Sequence, residues 1–452
     1  MPHKSLNPAT GLLLKEFVSW DALRLHSALE KARIAQQSWA KTGFSYRAAV
    51  LNGAAKHLRM DCDGLAALIT MEMGKPLHEA LAEVRKCATV CDYYAEHAEA
   101  FLKPEPVATD ARKSYIAHLP LGLVLAIMPW NFPFWQAFRA AVPALMAGNA
   151  VLLKHAPNVP QCALALEAIF RECDLPEGLF TTLLIETDLV PEAISLVDAV
   201  TFTGSEAAGR KVAACAGQNL KKCVLELGGS DPFIVLHDAD LESTVDTAVA
   251  SRFQNCGQSC IAAKRFIVVP QIAEAFLDSL KIKVEALMIG DPMLESTQIG
   301  PMARLDLRDA LESQVNDTLA MGAVAVTGCR PDSREGYYYL PSILDQVAPE
   351  TPACKEELFG PVAVVIRAQS EQDAIRIANS TRFGLGSSIW SRDAARAEKL
   401  AADIQAGCTF VNGMVKSDPR LPFGGVKASG YGRELSRIGM HEFVNAKTVW
   451  IR

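Results

Sequence analysis

The chain has 452 residues, enough for two or three domains of ~100–200 residues each. Half of it is hydrophobic, 21% is charged and 7% is aromatic, an ordinary globular composition that excludes extended disorder. Its 45 Lys and Arg against 51 Asp and Glu give a formal charge of −6, without the basic surplus a nucleic-acid partner needs.

The opening segment, Met1 to Gly11, shows no basic-then-apolar leader, so a cytoplasmic location is expected. From residue 20 to about 102 Ala, Leu, Lys and Glu recur at helical spacing, with a break at Gly74-Lys75-Pro76. Residues 103–119 are polar and proline-bearing, alternate from Ser114 to His118, and predict a linker or small hairpin. The most apolar stretch, Leu119 to Met128, is shorter than the ~20 residues that span a bilayer, so no membrane partner is expected.

From residue 121 the order becomes strand, helix, strand, helix. Strands are predicted at 122–128, 150–154, 180–185, 199–204 and 221–229, with helices at 133–147, 160–172, 189–196 and 205–217 between them. Apolar strands alternating with helices predict a doubly wound parallel α/β sheet. After Gly229 the alternation restarts with strands at 233–236, 266–270 and 362–366 and helices at 240–254 and 272–288, which predicts a second α/β domain. The tail, 440–452, ends in a strand-like segment with no partner nearby in sequence.

Five segments could carry chemistry. Cys260, in Asn255-Cys256-Gly257-Gln258-Ser259-Cys260, follows a glycine break and is either an exposed nucleophile or a small buried hydrophobe. Glu226, between leucines at a strand end, is either a general base with a raised pKa or a paired acid. The Gly204-Ser205 turn opens a helix and suits a phosphate, or is a simple serine cap. Gly204 and Gly209 have P-loop spacing, but Arg210-Lys211 replaces the Lys-Ser/Thr pair a nucleotide hydrolase requires. In Pro129-Trp130-Asn131-Phe132-Pro133 two prolines restrict the turn and could fix the Asn131 amide as a donor. Glu356-Glu357-Leu358-Phe359-Gly360-Pro361 reads alone as a solvated loop. Twelve cysteines with no C-x-x-C pair, and no H-E-x-x-H, predict neither a disulfide scaffold nor a metal site.

In this order, these segments (PWNFP, FTGS, LELGG, GQSC and EELFGP), with LPFGGVKASGYGRE at 421–434, resemble the aldehyde dehydrogenase superfamily from Asn7-Pro8-Ala9-Thr10-Gly11 to the end. The resemblance implies two doubly wound α/β domains plus a small oligomerisation element. A cofactor domain would cover 1–102 and 120–227, a catalytic domain 228–418, and a bridging element 103–119 and 436–452. In that element the 103–119 hairpin would pair with the C-terminal strand of another subunit, in a homodimer or homotetramer. Cys260 would attack an aldehyde to give a thiohemiacetal and then a thioester, with Asn131 and the Cys260 N–H holding the oxyanion and Glu226 activating water. NADP or NAD would lie against Trp130, Asn131, Lys154, Gly204, Ser205, Leu227, Glu357 and Phe359. Pro157 stands where NAD-preferring relatives carry a glutamate, which favours NADP.

The C-terminal half is most similar to the succinate-semialdehyde dehydrogenase branch, with another short aliphatic or hydroxy aldehyde as the alternative substrate. Arg139 matches one substrate arginine of that branch, while Gln254 stands at the second, two residues after Arg252. Arg420 and Ser417 are further substrate candidates, and Cys256 is a candidate redox partner for Cys260. A catalytically silent binding protein on the same fold would be expected to lack Cys260, Glu226 or Asn131, and all three are present.

Overall fold

A computed structural model describes residues 3–452. Met1 and Pro2, which open the predicted cofactor domain, lie outside the described residues. The chain starts with an antiparallel pair, His3–Leu6 against Leu13–Phe17, that the sequence reading missed. The second of these strands is largely exposed, so it has no apolar face to mark it. Four helices follow at Ala22–Trp39, Phe44–Met60, Cys62–Met73 and Leu77–Phe101. Gly74, at φ +87°, ends the third in the left-handed conformation that favours glycine, and Pro76 precedes the fourth.

The first large sheet has six strands in the order Gly430–Tyr431, Lys222–Glu226, Ala199–Thr203, Leu123–Met128, Ala150–His155, Phe180–Thr182. All pairs are parallel except the one made by Gly430–Tyr431. Helices cover its faces, and the strand Leu123–Met128 is buried at every position, as a two-sided parallel core requires. From Leu123–Met128 the chain first moves outward through Ala150–His155, then returns to add Ala199–Thr203 on the other side. The crevice at that reversal is where open α/β sheets receive ligands. The strand predicted over 180–185 is shorter, Phe180–Thr182, because it lies at the sheet edge.

Gly228-Gly229-Ser230 leads directly into the second sheet, whose seven strands run Val324–Thr327, Ser342–Asp345, Val362–Arg367, Ala263–Val268, Asp231–Val235, Ser388–Trp390, Phe410–Val411. Four of these are unread in the sequence analysis, being only two to four residues long. The helices Leu305–Ala320, Glu371–Asn379 and Ala394–Ala401 were likewise missed.

The tail requires a correction. Val444–Ile451 pairs antiparallel with Lys113–Pro120 of its own chain over eight residues, with Glu105–Pro106 on the far side. The short helix Ser436–His441 returns the chain to this hairpin, and the Tyr94 hydroxyl donates to Ser436 O at 3.0 Å to anchor it. No helix among the described residues is long and apolar enough to cross a membrane.

Candidate active site

Cys260 follows a turn of unusual backbone. Asn255 and Cys256 hold φ of 54° and 55°, a left-handed conformation costly for residues with a side chain, and Gly257 continues at 74°. Side-chain bonds hold the turn there. The Asn255 amide donates to Asn131 O at 2.8 Å and Gln258 O at 2.9 Å, while its backbone N–H donates to Glu79 Oε2 at 2.8 Å. The buried Arg252 guanidinium donates to Val362 O at 2.6 Å, Leu358 O at 3.0 Å and the Gly360 and Gly257 carbonyls. Arg252 therefore ties the EELFGP loop to the nucleophile turn and does not reach the substrate side.

Two donors stand ready for an oxyanion. Asn131 is buried, and its Nδ2 donates one hydrogen to Gln258 O at 3.1 Å, which fixes the amide and leaves the second hydrogen available. The Cys260 backbone N–H has no acceptor among the described residues. The prolines read in the sequence are only part of what shapes the Asn131 turn. Glu83 Oε1 accepts the Phe134 and Trp135 N–H groups, each at 2.9 Å, and so caps the helix Trp135–Met146, which has no side-chain cap of its own. Lys75 Nζ lies 2.5 Å from the other Glu83 oxygen, and both side chains are buried.

Cys260 lines two cavities that share only it and Gln136. The first, about 220 Å³, lies at the sheet reversal against Trp130, Asn131, Gly204, Ser205, Leu227, Glu357 and Phe359. There Trp130 meets Phe359 edge-on at 5.7 Å, Ser205 caps the helix Glu206–Gln218, and Glu357 accepts the Gly229 N–H at 3.1 Å. An aromatic pair, a helix N-terminus and a carboxylate suit a planar ring, a phosphate and ribose hydroxyls respectively. The second cavity, about 210 Å³, holds Lys86, Trp135, Arg139, Gln254, Ser417 and Phe423.

Burial pushes the Cys260 thiol up to about 12, although the Arg139 and Lys264 charges oppose the shift. Lys264, which the sequence reading missed, donates to the Ser259 and Cys260 carbonyls at 2.8 Å each and lies 3.3 Å from Glu357 Oε1. At rest Cys260 is therefore a thiol, and reaction at its sulfur would need a base or a nearby cation to release the proton.

Glu226 is buried at the end of Lys222–Glu226, and neither of its oxygens has a hydrogen-bond partner among the described residues. Burial, then the Glu434 charge, raises its carboxyl well above the ordinary range, against the pull of Arg139 and Arg433. Its carboxylate lies beside Gly424 and lines neither cavity, so work at Cys260 requires the side chain to turn. Glu434, the last residue of the LPFGGVKASGYGRE run but not singled out there as a site residue, forms a buried ion pair with Arg139. Arg139 lines the second cavity together with Cys260, its Nε paired with Glu434 and its Nη2 3.4 Å from Thr203 Oγ1. Its side chain also lies over the Phe423 ring at 4.8 Å.

The remaining candidates divide. Ser417 is buried in the second cavity wall, whereas Arg420 is exposed, bonds to Asp418 at 2.8 Å and lines neither cavity. The Arg420 expectation is thus corrected: its partner on the loop holds it outside. Lys154 is buried at the end of Ala150–His155 and donates to His155 O at 3.0 Å, with Pro157 exposed on the following loop. The Cys256 thiol accepts the Gly300 N–H at 3.2 Å and lines neither cavity. A bond to Cys260 would require it to leave that amide.

A cysteine set between two cavities, beside two oriented N–H donors, has the geometry of a site that could hold a carbonyl substrate. The chain belongs to the aldehyde dehydrogenase family, whose pattern it matches over residues 2–449. It is 50% identical over 453 residues, the whole of both chains, to the probable succinate-semialdehyde dehydrogenase (NADP+) of Synechocystis sp.. It is 48% identical over 448 residues, 99% of this chain and 97% of the other, to the succinate semialdehyde dehydrogenase (NAD(P)+) Sad of Escherichia coli. The solved succinic semialdehyde dehydrogenase from Streptococcus pyogenes in complex with NADP+ superposes with a TM-score of 0.97 at 37% identity, covering 99% of each chain.

Proposed function

We propose that the chain oxidises succinate semialdehyde to succinate with NADP as the preferred cofactor and NAD as an alternative. The placement of Cys260 in the wall of both cavities carries this reading, because it lets one atom hold the substrate while a second molecule approaches from the other side. Bound NADP supplies the hydride acceptor. Trp130, Phe359, Glu357, Leu227 and the Gly204-Ser205 turn would hold it, with Lys154 toward its adenosine end. Pro157 presents no negative charge there to repel a 2′-phosphate.

Glu226, its side chain turned toward Cys260, takes the thiol proton and passes it to solvent; the sulfur adds to the aldehyde carbon, and the new oxyanion is held by the free Asn131 amide hydrogen and the Cys260 N–H. Loss of hydride from that carbon leaves a thioester on Cys260. Glu226 then takes a proton from water, the hydroxide adds to the thioester carbonyl, and carboxylic acid and thiol are released. The raised carboxyl of Glu226 suits this role.

The same reading divides the chain into a cofactor domain (1–102 and 120–227), a catalytic domain (228–418) and a bridging element (103–119 and 436–452). Assembly as a homodimer or homotetramer is supported by the Val444–Ile451 strand, which leaves one edge of its sheet unpaired and exposes Trp450. A cytoplasmic location belongs to the same proposal. Purified protein should reduce NADP with succinate semialdehyde, followed by absorbance, and Cys260→Ala should lose that activity while still binding NADP. Turnover by Cys260→Ala near the wild-type rate would overturn the assignment.

A further inference from the structure

The peptide bond joining Ser259 to Cys260 supplies one of the two oxyanion donors, and its far end is tightly held. Its N–H, that of Cys260, has no acceptor among the described residues. Its carbonyl, that of Ser259, takes two donors: Lys264 Nζ at 2.8 Å and the Ala262 N–H at 3.2 Å. The C=O and N–H of a trans peptide point in opposite directions, so anchoring the first aims the second.

Lys264 stands behind the site. It lies near the start of the strand Ala263–Val268, is buried, and lines neither of the two cavities. A second bond from Nζ goes to the Cys260 carbonyl at 2.8 Å. Glu357 Oε1, which also accepts the Gly229 N–H, is the counter-charge at 3.3 Å. A buried ammonium is costly to keep, and the catalytic steps above give this one no task.

We propose that Lys264 is a positioning residue for the oxyanion hole: its charge, bonded to the Ser259 carbonyl, orients and polarises the Ser259–Cys260 peptide and so makes the Cys260 N–H a stronger donor to the developing oxyanion. A cation at the carbonyl end draws electron density along the amide and leaves the N–H hydrogen more positive, as linked hydrogen bonds strengthen one another by ~10–30% each. A bond from an ionised donor is also roughly twice as strong as a neutral one, which stiffens the anchor. Around the Cys260 sulfur, Arg139 and Lys264 favour the thiolate while Glu357 and Asp231 oppose it. One cation thus acts in turn on both atoms that carry negative charge, the sulfur before attack and the oxygen after it.

This inference rests on the reading of Cys260 as the nucleophile, whichever aldehyde is bound. The test uses Lys264→Met, of similar length and uncharged. Three quantities are measured: the rate of the first equivalent of reduced NADP after rapid mixing with aldehyde, Kd for NADP, and the rate of Cys260 alkylation by iodoacetamide, which builds no oxyanion. The first equivalent should form at least about tenfold more slowly, a fraction of the about 100–1,000-fold that losing a whole donor costs. Alkylation should slow by a smaller factor, reporting the thiolate alone. Kd for NADP should stay within about threefold of wild type, since the Gly229 N–H still holds Glu357. Lys264→Arg, which keeps the charge, should recover most of the burst rate. Lys264→Gln, polar but uncharged, should not, and it replaces the methionine variant if that one fails to fold. An unchanged burst, or burst and alkylation slowed by equal factors, would overturn the proposal, and so would a loss confined to Kd for NADP. A wild-type protein that is alkylated at Cys260 yet reduces no NADP with any aldehyde would instead overturn the functional reading, and this inference with it.

Discussion

Glu83→Gln isolates the buried pair behind the Asn131 turn. The wild-type carboxylate takes the Phe134 and Trp135 amides on one oxygen and Lys75, at 2.5 Å, on the other. Glutamine can still accept the two amides through its carbonyl, but its NH2 then faces the Lys75 ammonium. The lysine is left buried without its hydrogen-bonded counter-charge, with the Phe132 ring at 4.0 Å and the more remote Glu79 carboxyl as its remaining neighbours. Breaking a buried ion pair on one side costs about 3–5 kcal/mol. At roughly 2 °C per kcal/mol, the lower end for large domains, the melting temperature should fall by about 6–10 °C in a scanning calorimeter. The fold need not be lost, since domain stabilities run to ~5–15 kcal/mol. Because Phe134 and Trp135 immediately follow the oxyanion loop, kcat should drop as well, by up to about 100-fold for a displacement near 1 Å. Adding Lys75→Met removes the stranded charge, and the double variant should recover at least about 2 kcal/mol of the loss. If Glu83→Gln melts within about 2 °C of wild type, or if Lys75→Met makes it worse, the pair does not hold the turn in the way described.

Glu226→Gln should form the first equivalent of reduced cofactor in a burst and then turn over about 100-fold or more slowly, with acyl-enzyme visible by mass spectrometry. In wild type the active base is the deprotonated form, so kcat should fall with decreasing pH along a limb lying above the ordinary carboxylate range. Glu434→Gln, which removes the neighbouring negative charge, should move that limb to lower pH in a pH–rate profile. Asn131→Ala should lower kcat by about 100–1,000-fold in steady-state assays, with a smaller change in KM for the aldehyde. Pro157→Glu should shift the NADP to NAD ratio of kcat/KM toward NAD by about tenfold or more, through a newly placed repulsive charge.

The parts of this molecule legible in sequence are those with local signatures. The buried strands of the first sheet announce themselves as apolar runs, and the turns after Met128, Thr203 and Glu226 stand at strand ends where an α/β crevice forms. The second sheet is harder to read because several strands have two to four residues, too few for a period. What a residue meets across the chain is not written locally. That Arg139 meets Glu434, far along the sequence, is visible only once the chain is folded. Arg420 and Ser417 are three residues apart, yet one points to solvent and the other into the cavity wall. Lys86 lies in an ordinary helical stretch of alternating charge, and only the fold brings Ser417 and Trp135 to it.

That the two chambers share only Cys260 and Gln136 has an evolutionary corollary. Substitutions along the Lys86 wall can retune which aldehyde enters without touching the residues beside Trp130 and Phe359, and changes near Ser205 can swap the coenzyme without disturbing the aldehyde. Such a layout lets a lineage explore the two choices as nearly independent traits. The exception is Gln136, which borders both rooms, and a replacement there should be felt on either side at once.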